Sequence, residues 1–358
     1  MVPRIASIEV VPYALPFREP YVTANGSLRH REMALLRLRS VDGPIGLGEA
    51  VPLSLRGGAT LEQVVGELLG LEGVGDADAL AGAAERLSAP SRCAVATALT
   101  DLAGRLGEER AAPGLRSVIA PGPVRCNATL VAGEADAVAA DALRWAEAGF
   151  SAFKLKLGEG PDAKSEIARV RAVREAVGPE ASIRVDANGA WDARTAKRVL
   201  KRLEPLGVEL AEQPVATPAA MAEVASATSI PLAADETLAT AEEAQRARAA
   251  GQCSLAALKL SKVGGPGTAL EIAAAIPSYM SSALDGPVGI AAAAYTVQAM
   301  RDLGHDGAEL AHGLATQRLF ATTIAGSQPV LHGDMLHLPD GPGLGVEIDE
   351  KALAAHRL

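Results

Sequence analysis

Eight short apolar segments recur through the chain after about residue 120, and this repeat constrains the fold more than any other feature. Each segment has the length of a β-strand, ends in a polar residue and is followed by an alanine-rich amphipathic stretch. The segments begin about 23 to 30 residues apart, which accommodates one strand, one helix and two loops. They cover residues 124–130, 152–157, 182–188, 208–214, 231–236, 255–261, 279–284 and 309–315. The repeat predicts an α/β fold, a (β/α)8 barrel of the TIM type.

The regions on either side of the repeat follow other patterns. Residues 1–122 contain three strand-like runs followed by helical patterns, which predicts an α+β capping domain. The barrel is expected over residues 123–325. Residues 326–358 are too few for a further domain, so we expect them to return to the capping domain.

Composition and charge exclude several classes of protein. The 358 residues carry a formal net charge of −9, which argues against nucleic-acid partners and anionic membrane surfaces, because both need a basic surface. The three cysteines are widely separated and odd in number, so they indicate neither a disulfide framework nor a CxxC site. The sequence shows neither a signal-peptide pattern nor an apolar run long enough to span a bilayer. We therefore expect a cytoplasmic protein that acts on a small molecule; whether it forms a homo-oligomer is left open.

Charged residues stand at the ends of five consecutive predicted strands, where (β/α)8 barrels form their active sites. Because residues two apart share one face of a strand, those on the same strand are expected to point together into the barrel. In chain order the candidates are Lys154, Lys156, Arg184, Asp186, Asn188, Glu212, Asp235, Glu236 and Lys259.

Three of the four carboxylates among these candidates, Asp186, Glu212 and Asp235, come one from each of three adjacent predicted strands and are expected to converge. Three carboxylates that converge in a dry cleft repel one another strongly unless a cation neutralises them. Oxygen ligands without a nearby His or Cys favour Mg²⁺, with Mn²⁺ as a substitute, over Zn²⁺. We expect Asn188 and Glu236 to orient these ligands rather than to bind the ion.

The predicted strands that carry Lys156 and Lys259 lie on opposite sides of the barrel, so the two lysines are expected to face each other across the metal. This arrangement suits removal of a proton next to a carboxylate, since the cation neutralises the enediolate that forms. A lysine acts as a base only when it is neutral. Burial, the Lys154 cation and the metal are expected to lower its pKa. Lys262 is out of register with Lys259 and is expected to face outward.

Taken together, these strand ends resemble those of the enolase superfamily, in its muconate-lactonizing subgroup. The matching motifs are Lys154-x-Lys156, Asp186-x-Asn188, Glu212-Gln213-Pro214, Asp235-Glu236, and Lys259 followed by Lys262-Val263-Gly264-Gly265. The resemblance covers nearly the whole chain, including the capping domain and the Gly/Pro-rich tail. It implies a Mg²⁺-dependent enzyme of small carboxylate substrates with a lysine base, as is known for this superfamily.

Within the subgroup, the sequence is most similar to the o-succinylbenzoate synthase family, the dehydratases of menaquinone synthesis. The segments that carry this similarity are residues 127–129, 185–192, 281–285, 288–289 and 312–316. The resemblance implies that Lys156 abstracts the proton and then protonates the departing hydroxyl, while Lys259 stabilises the enediolate as a cation. It also implies a substrate pocket lined by Arg184, Ser282, Gly313 and Leu314.

Several alternatives stay open at the level of sequence. N-succinylamino acid racemases and muconate cycloisomerase-like enzymes of the subgroup share the same catalytic residues. Dipeptide epimerases typically carry Asp-x-Asp on the eighth strand to hold an ammonium group, and His312-Gly313-Leu314 stands there instead, which disfavours an amine substrate. Gly286-Pro287 departs from the small hydroxyl residues expected at that place. A barrel that only binds a ligand is the alternative of another class, against which the complete set of lysines and carboxylates argues.

Overall fold

The computed structural model describes residues 2–23, 26–54, 57–107, 122–131, 133–158 and 162–358. The strands in this part of the chain are β1 Ile5–Thr23, β2 Gly26–Ser40, β3 Ile45–Ala50, β4 Val124–Arg125, β5 Ala128–Leu130, β6 Ala152–Lys156, β7 Ser182–Asp186, β8 Val208–Glu212, β9 Leu232–Ala234, β10 Leu255–Leu258, β11 Ser278–Met280, β12 Ala325–Ser327, β13 Val330–His332, β14 Met335–His337 and β15 Glu347–Ile348. The helices are α1 Leu61–Leu69, α2 Ala77–Ala84, α3 Ala89–Arg105, α4 Ala135–Glu147, α5 Ala163–Val177, α6 Ala193–Leu203, α7 Pro218–Ala225, α8 Ala241–Ala249, α9 Leu260–Val263, α10 Pro266–Ala275, α11 Pro287–Asp302 and α12 Glu350–His356.

The N-terminal region is an antiparallel sheet, in the order β1-β2-β3, packed against helices α1 to α3. Its closest packing is between β3 and α3, where a Cβ atom on Gly46 or Gly48 would collide with the carbonyl oxygens of Ala98 or Ala94. These glycines let the strand backbone lie directly on the helix. As a result, the neighbouring residue Glu49 points to the other face of the sheet.

The barrel is built from seven parallel strands, β5 to β11, which pair in sequence order. The predicted eighth strand is reduced to bridges at two residues, His312 with Cys126 and Gly313 with Ser281, both in parallel sense. The His312 ring accepts a hydrogen bond from the Met280 amide, so a side chain supplies part of the pairing that a strand would provide. These bridges close the barrel, and the fold is the predicted α/β barrel.

The C-terminal tail returns to the N-terminal sheet, as the fold prediction requires. Strand β12 pairs with β15, and β14 pairs with β4 at the start of the barrel. Helix α12 packs against β1, and the Leu358 amide donates to the carbonyl oxygen of Pro12. The tail and the N-terminal region therefore form the capping domain together. The predicted boundary after residue 122 follows residues 108–121, which lie outside the described part of the chain.

No helix in the described ranges is long and apolar enough to cross a membrane. Cys93, Cys126 and Cys253 are buried thiols without a disulfide.

Candidate active site

The carboxyl ends of β6 to β10 bring a set of charged side chains together at one end of the barrel. The strand register aligns Lys156 with Asp186, and Asp186 with Glu212. Asp235 follows β9 and Lys259 follows β10. We call this set the barrel cluster, and its members are Lys154, Lys156, Asp186, Glu212, Asp235, Lys259 and Lys262.

Lys154 connects two of the buried carboxylates. Its Nζ lies 3.1 Å from Asp186 Oδ2 and 2.9 Å from Glu212 Oε2, and its residue is only 3% exposed. Burial alone would lower the pKa of Lys154, but the Glu212 and Asp186 carboxylates outweigh burial and raise that pKa. Lys154 is therefore a fixed cation between two acids.

Lys156 lies at the mouth of the barrel beside Asp186. Its Nζ is 2.6 Å from Asp186 Oδ2 and donates to Asn188 Oδ1 at 2.9 Å. Burial is the largest single effect and lowers the pKa of Lys156, as does the Lys154 cation, but Asp186 together with Tyr21 and Glu212 raises this pKa on balance. The expected lowering of this pKa depends in part on the charge of a bound cation, so it stays a prediction for the cation-bound site.

Asp186 is fully buried, which by itself raises the pKa of a carboxyl group. The Lys156 and Lys154 ammonium groups outweigh burial and hold the pKa of Asp186 far below its usual range. This acid is an anion in the folded protein.

Asp235 is held between two lysines. Lys259 contacts Asp235 Oδ2 and lies 3.9 Å from Glu212 Oε1, while Lys262 Nζ lies 2.8 Å from Asp235 Oδ1. The prediction that Lys262 faces outward was wrong. Lys259 is the N-cap of α9, so the chain changes there from strand to helical periodicity, and a residue three positions later returns to the same side.

Gln213 is a connecting residue that the sequence analysis did not single out. It has a positive φ of 37°, and its Oε1 accepts from the Asp235 amide at 2.8 Å and from the Thr237 hydroxyl at 3.1 Å. Its place in the Glu212-Gln213-Pro214 motif was the sequence feature that could have indicated this connecting role. Gln213 ties the end of β8 to the loop that carries Asp235.

Asn188 and Glu236 form a second link across the mouth. Asn188 also has a positive φ, 47°, and its amide donates to Asp186 Oδ1 at 3.1 Å. Its Nδ2 donates to Glu236 Oε1 at 3.0 Å. Asn188 thus contacts Lys156, Asp186 and Glu236, as a residue that orients its neighbours would.

Tyr279 and Arg184 lie inside the barrel beneath these charges. The Tyr279 hydroxyl donates to Glu212 Oε2, and the Arg184 guanidinium lies 5.0 Å from the centre of the Tyr279 ring. Arg184 is fully buried and bonded to Glu209 and the carbonyl oxygen of Ala311. This position does not support direct contact between Arg184 and a substrate. Only the inward register of Tyr279 on β11 could have indicated its role.

The other predicted pocket residues lie where the barrel closes. Ser282 follows β11, and its hydroxyl donates to Asp285 Oδ2 at 2.7 Å. Gly313 donates its amide to the carbonyl oxygen of Met280 at 2.8 Å. Leu314 is fully buried in the main hydrophobic core. Of this group, Ser282 and Gly313 lie on adjacent segments, whereas the Leu314 side chain serves packing.

The donor set of the barrel cluster is suited to a hard divalent cation. Asp186, Glu212 and Asp235 offer only oxygen atoms, and all three are fully buried, so they require positive charge. Among the described residues, no three acidic, His or Cys side chains stand close enough to form a ready ligand group, and lysine ammonium groups contact each of the three carboxylates. The lysine contacts mark the place where the buried carboxylates need a neutralising cation, and carboxylate oxygen ligands fit Mg²⁺.

Fold and site together define a (β/α)8-barrel protein with a buried lysine–carboxylate centre. Residues 137–352 match the family described as "Enolase C-terminal domain-like". The chain belongs to the enolase superfamily.

Relatives with different activities resemble this chain. The o-succinylbenzoate synthase of Thermobifida fusca is 37% identical over 214 residues, which are 58% of this chain and 64% of that enzyme, less than two thirds of its length. The muconate lactonizing enzyme of Pseudomonas fluorescens, complexed with muconolactone, has a TM-score of 0.89 and 28% identity over all of both chains. A dipeptide epimerase of Cytophaga hutchinsonii, complexed with Mg and D-Ala-L-Val, has a TM-score of 0.88 and 25% identity over 99% of this chain and 98% of its own. The similarity establishes the superfamily and leaves the reaction open.

Proposed function

We propose that this protein is a Mg²⁺-dependent o-succinylbenzoate synthase, a dehydratase that serves menaquinone synthesis. The observation that carries the proposal is the placement of Lys156 and Lys259 at opposite ends of the row of buried carboxylates. The 37% identity to the Thermobifida fusca synthase over 214 residues favours dehydration among the reactions of the superfamily.

Asp186, Glu212 and Asp235 would hold the Mg²⁺ ion. When bound, the ion supplies the positive charge that makes the proton next to a substrate carboxylate acidic enough to remove. Gln213, Tyr279 and the lysines of the barrel cluster keep the three acids in place.

In this proposal, Lys156 carries out both proton transfers. Its Nζ takes the proton from the carbon next to the carboxylate and then gives it to the departing hydroxyl. Water therefore leaves, and Lys156 returns to its starting protonation state. Asn188 orients this nitrogen through the hydrogen bond at 2.9 Å. Lys259, on the other side, remains an ammonium group and stabilises the negative charge that develops on the substrate.

A second candidate is cycloisomerisation of the muconate type, favoured by the similarity to the Pseudomonas fluorescens enzyme over the full length of both chains. N-succinylamino acid racemisation would use the same two lysines. A dipeptide substrate is less suited, because the barrel closes at the His312-Gly313 backbone and carries no acidic pair there.

The test is the ultraviolet decay of the o-succinylbenzoate precursor with Mg²⁺, run beside EDTA-treated enzyme and Lys156→Ala. We expect decay that stops with EDTA and falls by about 10²–10⁴-fold in Lys156→Ala, the usual contribution of a general base. Lys197→Ala removes a lysine from the outer helix α6 and is the matched control, with unchanged activity.

A wild-type enzyme that leaves the precursor intact would refute the dehydratase assignment. Deuterium exchange into N-succinylamino acids, and conversion of muconate, would then decide among the related reactions. If no substrate exchanges its proton or is converted, and the protein binds no Mg²⁺, the result would favour a barrel that binds a ligand without catalysing a reaction.

A further inference from the structure

A second buried acid, Glu49, joins the capping domain to the barrel. It stands at the end of β3, is 2% exposed, and accepts a hydrogen bond from the Tyr13 hydroxyl at 2.7 Å. Its Oε1 also accepts from the backbone amides of Gly286 and Gly289, at 2.6 and 3.3 Å. These amides lie at the first turn of α11, so an acid of one domain caps a helix of the other.

Two glycines make the room for this carboxylate. A Cβ atom on Gly286 would lie 2.5 Å from the Tyr13 hydroxyl and 2.6 Å from Glu49 Oε2. A Cβ atom on Gly289 would lie 2.8 Å from Glu49 Oε1. A side chain at 286, where a small hydroxyl residue was expected, would therefore displace Tyr13 or Glu49 from the present contact.

The helix start held by Glu49 is continuous with a segment of the proposed substrate pocket. We call residues 281–286 the seventh-strand loop, because it follows β11, the seventh strand of the barrel. Within it, Asp285 accepts hydrogen bonds from the Ser282 hydroxyl and the Ala283 amide, both at 2.7 Å. Leu284 has a φ of 66°, a strained conformation that persists only when its surroundings impose it.

Arg31 holds the same loop from a second strand of the capping sheet. This residue lies on β2, and its guanidinium donates to the carbonyl oxygens of Pro52 at 2.6 Å and Ala283 at 3.1 Å. The capping sheet thus fixes the seventh-strand loop at Ala283 and again at Gly286. Both contacts join residues more than 200 positions apart, so they exist only when the domains are docked.

We propose that Glu49 is a positioning residue that fixes the seventh-strand loop through Gly286 and Gly289, and so sets the place of Ser282 in the substrate pocket. The role of Ser282 toward a substrate rests on the proposed function, whereas the positioning of the loop does not. Loss of the carboxylate leaves two buried amides without their acceptor, which costs more than the bond itself contributes. The loop is then free to leave the strained conformation at Leu284.

The experiment compares Glu49→Ala, which removes the acceptor of both amides, with the wild type and with Glu32→Ala, which removes an acid from the exposed face of the same sheet. Hydrogen–deuterium exchange of a peptide covering residues 281–290 reports on the loop without any substrate. We expect exchange about 10-fold faster in Glu49→Ala, the effect of one lost buried hydrogen bond, and unchanged in Glu32→Ala. With the precursor as substrate, we expect KM to rise about 5- to 10-fold while kcat changes less than threefold.

Tyr13→Phe keeps the carboxylate and removes one donor, so it provides a milder test if the Glu49 variant does not fold. It should speed exchange in the same peptide by a smaller factor. Unchanged exchange in a folded Glu49→Ala protein would overturn the proposal, as would a loss of kcat with KM unaltered. If the wild type does not turn over the precursor, the exchange data still decide on Glu49, and only the proposed reaction fails.

Discussion

Two groups of buried acids in this protein are neutralised in different ways. In the barrel cluster, each carboxylate contacts a lysine ammonium group. At the domain interface, Glu49 and Asp285 are met by backbone amides and hydroxyl groups instead. We call this second group the docking cluster, and its members are Tyr13, Arg31, Glu49 and Asp285.

The pKa values of the buried acids shift in opposite directions in the two clusters. The lysines hold the pKa of Asp186 far below its usual range, although burial alone would raise it. At the docking cluster, burial and the nearby Asp285 raise the pKa of Glu49 to about 7. The comparison shows that permanent charge is kept where chemistry is proposed, while the interface between domains can hold its acids in the neutral form.

The largest expected effect comes from removing the central cation of the barrel cluster. Lys154→Met leaves Asp186 and Glu212 buried without the ammonium group they share, which should destabilise the protein by about 3–5 kcal/mol. The measurement is the thermal midpoint in EDTA and again with Mg²⁺. Added Mg²⁺ should raise the midpoint more in the variant than in the wild type. If Lys154→Met melts with the wild type in EDTA, the cluster does not depend on this cation.

The stability that the docking cluster contributes should decrease as the pH rises. The lowered pKa of Asp186 implies the opposite dependence for the barrel cluster. The pKa of Glu49 rises from 4.5 to about 7 on folding, so the folded state binds the proton more tightly. Stability from this group is complete below about pH 4.5 and is lost as the pH rises through about 7, by about 3 kcal/mol in total. The titratable groups that interact with Glu49 are Tyr13, Cys93 and Asp285, and Arg31 acts in turn on Tyr13 and Asp285.

Glu49→Gln removes this titration. Between pH 4.5 and 7.5, its thermal midpoint should gain on that of the wild type, whereas the midpoint of Glu32→Gln should keep a constant offset. A wild-type-to-Glu49→Gln difference that does not change with pH would contradict a raised pKa at Glu49.

A smaller effect is expected from the hydroxyl beneath the barrel cluster. Tyr279→Phe removes the hydrogen bond to Glu212 and keeps the ring under Arg184, which should cost about 1.5–3 kcal/mol, the range for a bond to a charged group. Isothermal titration should also show several-fold weaker Mg²⁺ binding, because Glu212 loses one of the groups that orient it. Unaltered binding of Mg²⁺ would show that the lysines position Glu212 without the Tyr279 hydroxyl.

The smallest effect is expected on the outside of the barrel. Lys197 pairs with Glu223 at 2.5 Å between α6 and α7, but both side chains are substantially exposed. Lys197→Met should change the free energy of unfolding by less than about 1 kcal/mol, measured by the thermal midpoint. A loss comparable to that of Lys154→Met would remove the distinction between buried and exposed ion pairs on which the comparison depends.

The sequence alone determined the barrel and the position of its charged strand ends. The spacing of the apolar segments reports a strand–helix repeat, and alternation along β6 places Lys154 and Lys156 on one face. These are local properties, because each depends only on neighbours within one strand or one turn of helix.

Tertiary structure decided the features that depend on contacts between distant segments. The helix that begins after Lys259 turned Lys262 toward Asp235, and docking of the capping sheet brought Glu49 to Gly286, 237 residues away in sequence. The raised pKa of Lys156 likewise depends on Asp186, which lies on the next strand. The physical reason is that burial, and the charge that balances it, belong to the packed assembly and not to any one segment of the chain.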